Sequence, residues 1–138
     1  MAESITYIKS QRFSVRIVKL YDYLQKEKKE FIISKQVMRS GTSIAANLAE
    51  ATRAMSKKDF LAKVYISLKE SEETSQWLIL LKNSGLIDEK QYASISADCD
   101  ELKKLLVATT KTTSRNLKES KLSTLNSKLS FANGVSEC

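Results

Sequence analysis

The chain has 138 residues, no proline, no histidine and three glycines, with 23 basic against 16 acidic side chains and a net charge of +7. Proline and glycine punctuate hairpins and tight turns, so this composition excludes a turn-rich β-sandwich or barrel and predicts one domain of a few long helices. Without histidine there is no Ser-His-Asp or Cys-His catalysis, no histidine metal ligand and no ordinary near-neutral proton shuttle.

The first predicted helix runs from about Ser10, a candidate N-cap, to Lys29. Phe13, Ile17, Leu20, Tyr21 and Leu24 form its apolar stripe. The second begins near Ser34, with Val37, Gly41, Ile44, Leu48 and Thr52 on one face and Ala45 and Ala49 beside them. Gly41 sits inside that helix at a propensity cost of about 1 kcal/mol, which points to close packing. The third has Ser56 as N-cap and Asp59 three residues on, a weak capping box. Its expected core face is Phe60, Val64, Leu68, Ser71, Ser75, Leu78 and Lys82, widened by Leu61, Ile79 and Leu81, and Gly85 is its predicted left-handed terminator. The fourth starts with the capping pair Asp88 and Gln91. Its seam is Tyr92, Ile95, Cys99, Leu102, Leu106 and Thr109, fading near Thr112.

Short links make sequential helices antiparallel, so the expected fold is an all-α, up-down-up-down four-helix bundle over residues 1–113. Residues 114–138 read as a flexible, basic, Ser-rich tail, with a short amphipathic helix over 117–129 as the alternative. The start of the chain, MAESITYIKS, shows no secretory signal. The longest uncharged stretch, Ser40 to Ala49, is too short to cross a bilayer. Cys99 and Cys138 lie far apart and read as reduced thiols, so a cytoplasmic, membrane-free location is expected.

The stretch from Gln36 to Glu73 carries a family pattern. Gln36, Arg39, Ser43, Ile44, Asn47, Ala49, Glu50, Ser56, Asp59, Phe60, Ser67, Leu68, Glu70 and Glu72 follow it, and Gly85-Leu86-Ile87 matches the family's ending of its third helix. In these residues the chain resembles the four-helix-bundle proteins encoded in intervening sequences of 23S rRNA genes. That family is related to the accessory variability proteins of diversity-generating retroelements. The chain departs from the pattern at Ala45, where proline is usual, and at Ala51, where glycine is usual. Both changes favour an unbroken second helix. The resemblance implies a left-handed bundle, a ring-like homopentamer and no enzymatic activity. For retroelement members it also implies contacts with a reverse transcriptase and with nucleic acid.

Arg39, Ser43, Asn47 and Glu50 are spaced by four, four and three along one side of the second helix. Ser67 and Glu70 share a side of the third. The expected network has Arg39 paired with Glu70 or Glu50 and Asn47 bridging the helices, because a partly buried arginine needs a carboxylate. A subunit contact and a ligand site are the alternatives. The acidic groups Glu70, Glu72, Glu73 and Asp98, Asp100, Glu101 read as solvated faces rather than a metal site. With no nucleophile–base pair, glycine-rich phosphate loop or metal box, the chain reads as a non-enzyme without a cofactor.

Charge is unevenly distributed: residues 9–29 carry net +5, 53–69 net +4, 70–101 net −6 and 103–128 net +6. In an antiparallel bundle Lys9, Arg12, Arg16, Arg53, Lys57, Lys58, Lys63, Lys103, Lys104, Lys111 and Arg115 are expected at one end. Asp88, Glu89, Asp98, Asp100 and Glu101 are expected at the other. Such a basic end suits phosphates of RNA or DNA, or an acidic protein partner, while a lysine-rich face also simply promotes solubility. Aromatic residues do not interleave with it, which disfavours single-strand stacking. Trp77 lies off the expected core face and admits two readings, a helix flank or a subunit anchor.

Overall fold

A computed structural model describes the backbone of residues 4–137 and the side chains of residues 4–130. Among the described residues it holds four helices and no strand: α1 (Ile5–Lys26), α2 (Ile33–Ala51), α3 (Lys57–Asn83) and α4 (Glu89–Glu137).

Helix α1 starts earlier than the apolar stripe suggests. Ser4 is the N-cap, its hydroxyl accepting the Tyr7 N–H at 3.1 Å. Ser10, the expected cap, is instead buried within the helix and donates to the Tyr7 carbonyl. The helix ends at Lys26, and Lys29 takes a left-handed backbone (φ +53°) in the link that follows.

Helix α2 is capped from outside. Ile32 supplies no side-chain cap, but the Glu30 carboxylate accepts the N–H groups of Ile32 at 3.1 Å and Ser34 at 2.7 Å. Burial acts to raise the Glu30 pKa, yet these bonds outweigh it and hold the carboxyl below its ordinary range. The helix passes unbroken through Ala45 and ends at Ala51, which is buried.

The local stop and start signals of α3 and α4 take the forms their residues dictate. Ser56 accepts the Asp59 N–H at 3.0 Å. At the far end the Gly85 N–H reaches Lys82 O and the Leu86 N–H reaches Leu81 O, both at 3.0 Å, with Gly85 at φ +74°. That is a Schellman stop, and it returns Ile87 to the core. Asp88 and Gln91 cap α4 reciprocally, each side chain accepting the other's backbone N–H at 2.7–2.8 Å.

Contacts run α1–α2, α2–α3, α3–α4 and α4–α1. Across each seam residue numbers rise on one helix as they fall on the other: Gly41 meets Ile17 and Ser34 meets Gln25, while Lys63 meets Glu50 and Arg39 meets Glu70. Neighbouring helices are therefore antiparallel. The core comprises Phe13, Ile17 and Leu24 from α1, Val37, Ile44 and Leu48 from α2, Val64, Leu78 and Leu81 from α3, and Ile95, Cys99, Leu102 and Leu106 from α4.

Two expectations about the helix faces change. The buried face of α3 is Val64, Ser67, Ser71, Thr74, Leu78 and Leu81, alternating by three and four. Leu68, Ser75 and Lys82 flank it, half-buried, and Thr52 of α2 is exposed. Helix α4 also does not stop near Thr112. Its burial in the bundle ends with Thr110, but the helix continues through the segment expected as a tail, and Lys118 to Ser130 are all exposed. The fading of the seam marks the end of the bundle rather than of the helix. Leucine, lysine, arginine and glutamate beyond it are all good helix formers, with no glycine before Gly134.

Candidate site: a polar seam and a basic end

The α2–α3 contact carries hydroxyl groups in its interior and ion pairs at its surface. Ser67 Oγ donates to the Ile44 carbonyl at 2.8 Å, and Thr74 Oγ1 lies 2.9 Å from Ser40 Oγ. All three hydroxyl residues are fully buried. Outside them Arg39 Nη1 reaches Glu70 at 3.0 Å, and Nη2 hydrogen-bonds Glu73. The Glu73 bond, and against some desolvation the Glu70 charge, raise the Arg39 pKa further. Two to three turns towards the other end of the seam, Lys63 pairs with Glu50 at 2.6 Å and lowers that carboxyl's pKa.

The expected network is thus redistributed. Arg39 meets Glu70 but not Glu50, whose partner is Lys63. Asn47 does not bridge the helices: its amide donates to the Ser43 carbonyl, and Ser43 Oγ donates to the Arg39 carbonyl, both within α2. Ser67 and the Ser40–Thr74 pair make the interior crossing, and Glu73 completes the arginine fork. Ser40 and Thr74 carry a weak sequence signal, being small hydroxyl residues at core-like spacing.

The basic residues also separate into two groups. Lys9 pairs with Glu101, Arg16 with Asp98 at 2.7 Å, Lys63 with Glu50 and Lys103 with Asp100 at 3.4 Å. Arg16 additionally donates to the Ser94 hydroxyl and carbonyl. Asp98 and Glu101 therefore lie alongside the first half of α1, not at an opposite acidic end, because α4 passes α1 antiparallel at that height. Arg12, Arg53, Lys57, Lys58, Lys104, Lys111 and Arg115 are exposed and have no ion-pair partner among the described residues.

Where α2 turns into α3, a cleft of about 870 Å³ opens beside Arg53 and Lys57. Tyr7, Leu48, Ala51 and Phe60 supply apolar walls, and neighbouring Met55 is 94% exposed. Trp77 packs partly buried against the core, while its buried indole Nε1 has no hydrogen-bond partner among the described residues. Cys99 is buried 3.4 Å from Ser75 Oγ, and burial pushes its thiol pKa up, so it is a packed core group rather than a nucleophile. Cys138 lies outside the described residues. No group of acidic or cysteine side chains among the described residues is arranged to hold a metal ion, and no described helix is long and apolar enough to cross a membrane.

Four antiparallel helices with a polar α2–α3 seam define an all-α four-helix fold. The sequence model of the 23S rRNA-intervening sequence protein matches residues 2–108, and the chain belongs to that family. A crystal structure from Bacteroides thetaiotaomicron VPI-5482, of a protein with unknown function from the S23 ribosomal protein family, is 50% identical to this chain. It superimposes with a TM-score of 0.77 over 78% of this chain and 99% of its own. No curated protein matches.

Proposed function

We propose that the protein is a non-enzymatic scaffold that assembles as a homo-oligomer, a pentamer in this reading. Its basic end meets the phosphates of RNA or DNA, or a nucleic-acid enzyme such as a reverse transcriptase. The observation that carries this is the division of the cations. Arg53, Lys57 and Lys58 are exposed around the α2–α3 turn without intrachain carboxylates among the described residues, whereas Lys9, Arg16, Lys63 and Lys103 are paired. A ring would repeat this positive patch on every subunit, a surface suited to phosphates without reading base sequence.

The test has two parts. Solution mass should be five times the 15.6 kDa chain mass, and a strict monomer removes the ring. Binding to nucleic acid should weaken steeply with salt and weaken further in the Lys57→Glu/Lys58→Glu variant. Absence of binding at low salt counts against the phosphate reading.

A second reading rests on the cleft. Its apolar walls beside Arg53 and Lys57 suit a protein partner offering an acidic segment with an apolar side chain. A partner retained after nuclease treatment, and released when Leu48 or Phe60 is made polar, supports it.

A further inference from the structure

We infer that α4 from Lys104 outward, including its projecting half, is itself a nucleic-acid surface, in which Lys104, Lys111, Arg115 and Lys118 lie along the phosphate backbone of a duplex. The inference rests on the phosphate reading above and names a separate surface for it.

The four residues are spaced by seven, four and three, which puts them on one face of the helix. All four are exposed, and none has an ion-pair partner among the described residues. Bundle burial ends at Thr110, so from Lys111 onward the helix offers this face without a packed neighbour. At about 1.5 Å per residue the ridge spans about 21 Å. A duplex carries one charge per about 1.7 Å of its axis, so every cation on the ridge has phosphates within reach. Glu119 is the one acidic residue between Arg115 and Lys128.

The composition of this segment favours a duplex. Asn116, Ser120, Ser123 and Ser127, spaced by four, three and four, form an uncharged polar face on the side of the helix opposite the ridge. No aromatic residue occurs from Lys104 to Ser130, so the stacking platform that single strands use is missing. Leu122, Leu125 and Leu129 are 53–58% exposed and continue the ridge. A helix lying on a bilayer keeps its apolar face clear of cations, whereas here Lys118 heads the same face as Leu122. Pairing two copies through these leucines would carry Arg115 and Lys118, one heptad before Leu122 and Leu125, of both chains into the same seam, where like charges repel. The family match ends at residue 108, so three of the four ridge cations lie outside it.

The experiment is fluorescence anisotropy on the full chain with an RNA duplex, the DNA duplex of the same sequence, a single strand and anionic phosphatidylglycerol vesicles, each over a salt series. The expected result is duplex binding whose logarithmic salt slope falls in the Lys111→Glu/Arg115→Glu/Lys118→Glu variant by about 0.9 per lost contact, near 3 in all. The tighter of the two duplexes identifies the source of the phosphates. Circular dichroism and solution mass report whether that variant folds; the Lys111→Gln/Arg115→Gln/Lys118→Gln variant, which removes charge without reversing it, is read the same way. A wild-type slope in the folded variants overturns the inference. If Lys57→Glu/Lys58→Glu alone loses binding, the ridge fails while the basic-end reading stands. Preference for vesicles or the single strand also overturns the ridge, and no binding of any nucleic acid at the lowest salt overturns both.

Discussion

Ser67 Oγ donates a 2.8 Å hydrogen bond to the Ile44 carbonyl across the α2–α3 contact, with both residues fully buried. A helical carbonyl has a second lone pair, so the bond is made without breaking the α2 ladder. Ser67→Ala should lower stability by about 1 kcal/mol, the net worth of one such bond. Ser67→Val should cost about 1–3 kcal/mol, because added methyls meet a close helix contact. Chemical denaturation of both variants measures the difference.

Arg39 spans two carboxylates, Glu70 and Glu73, but its side chain is half exposed. Pairs in water contribute little, so Arg39→Ala should cost less than about 1 kcal/mol, and less again at high salt. Arg39→Lys should cost nearly as much, because a single ammonium cannot reproduce the planar fork. Denaturation at two salt concentrations, with solution mass recorded for each variant, tests both statements. A mass change in Arg39→Ala would instead place this pair at a subunit contact.

Gly41 permits the close approach of α1. A Cβ there would lie 2.7 Å from Ile17 Cγ1 and 2.9 Å from Cγ2. Gly41→Ala should therefore destabilise by about 1–3 kcal/mol despite its better helix propensity. In an Ile17→Ala background the obstruction is gone, and the same substitution should stabilise by roughly 1 kcal/mol. A double-mutant cycle reads this change of sign.

Gly85 is the opposite case. A Cβ there meets nothing within 4 Å, but the residue sits at φ +74°. Gly85→Ala should cost about 1–2 kcal/mol purely through backbone conformation, and Gly85→Asn less. Thermal unfolding of the two variants separates conformation from packing.

Glu30 has a carboxyl pKa held below the ordinary value of 4.5: burial acts to raise it, and the N–H groups at the start of α2 outweigh that effect. The ionised form is favoured by folding, so its contribution is complete above about pH 4.5 and is lost as pH falls through the lower folded value. Glu30→Gln should be less stable than wild type at neutral pH, and the gap should narrow in acid. Unfolding free energies across that pH range test it.

Local chemistry made much of the fold legible. Ser56 with Asp59, Asp88 with Gln91, and Gly85 lie within a turn of what they cap, so their sequence spacing is already their geometry. Ser4 was hidden because the first turns of α1 precede its apolar stripe, leaving only a serine three residues before Tyr7 to mark the start. The projecting half of α4 was hidden because hydrophobic periodicity reports burial and is silent about a helix with nothing to pack against.

Residue spacing alone establishes which side chains share a side of each helix: Arg39 with Ser43, Asn47 and Glu50, and Ser67 with Glu70. It could not say how each helix is rotated and staggered against its neighbour. That depends on the joint packing of side chains such as Ile17 against Gly41 and Cys99 against Ser71 and Ser75. The tertiary structure gave Glu50 to Lys63 and Glu73 to Arg39, kept Asn47 within its own helix, and set Asp98 and Glu101 beside Arg16 and Lys9. Long side chains take whichever partner the packed backbones bring within reach, so the pairing, and with it which cations stay unpaired among the described residues, follows from the fold.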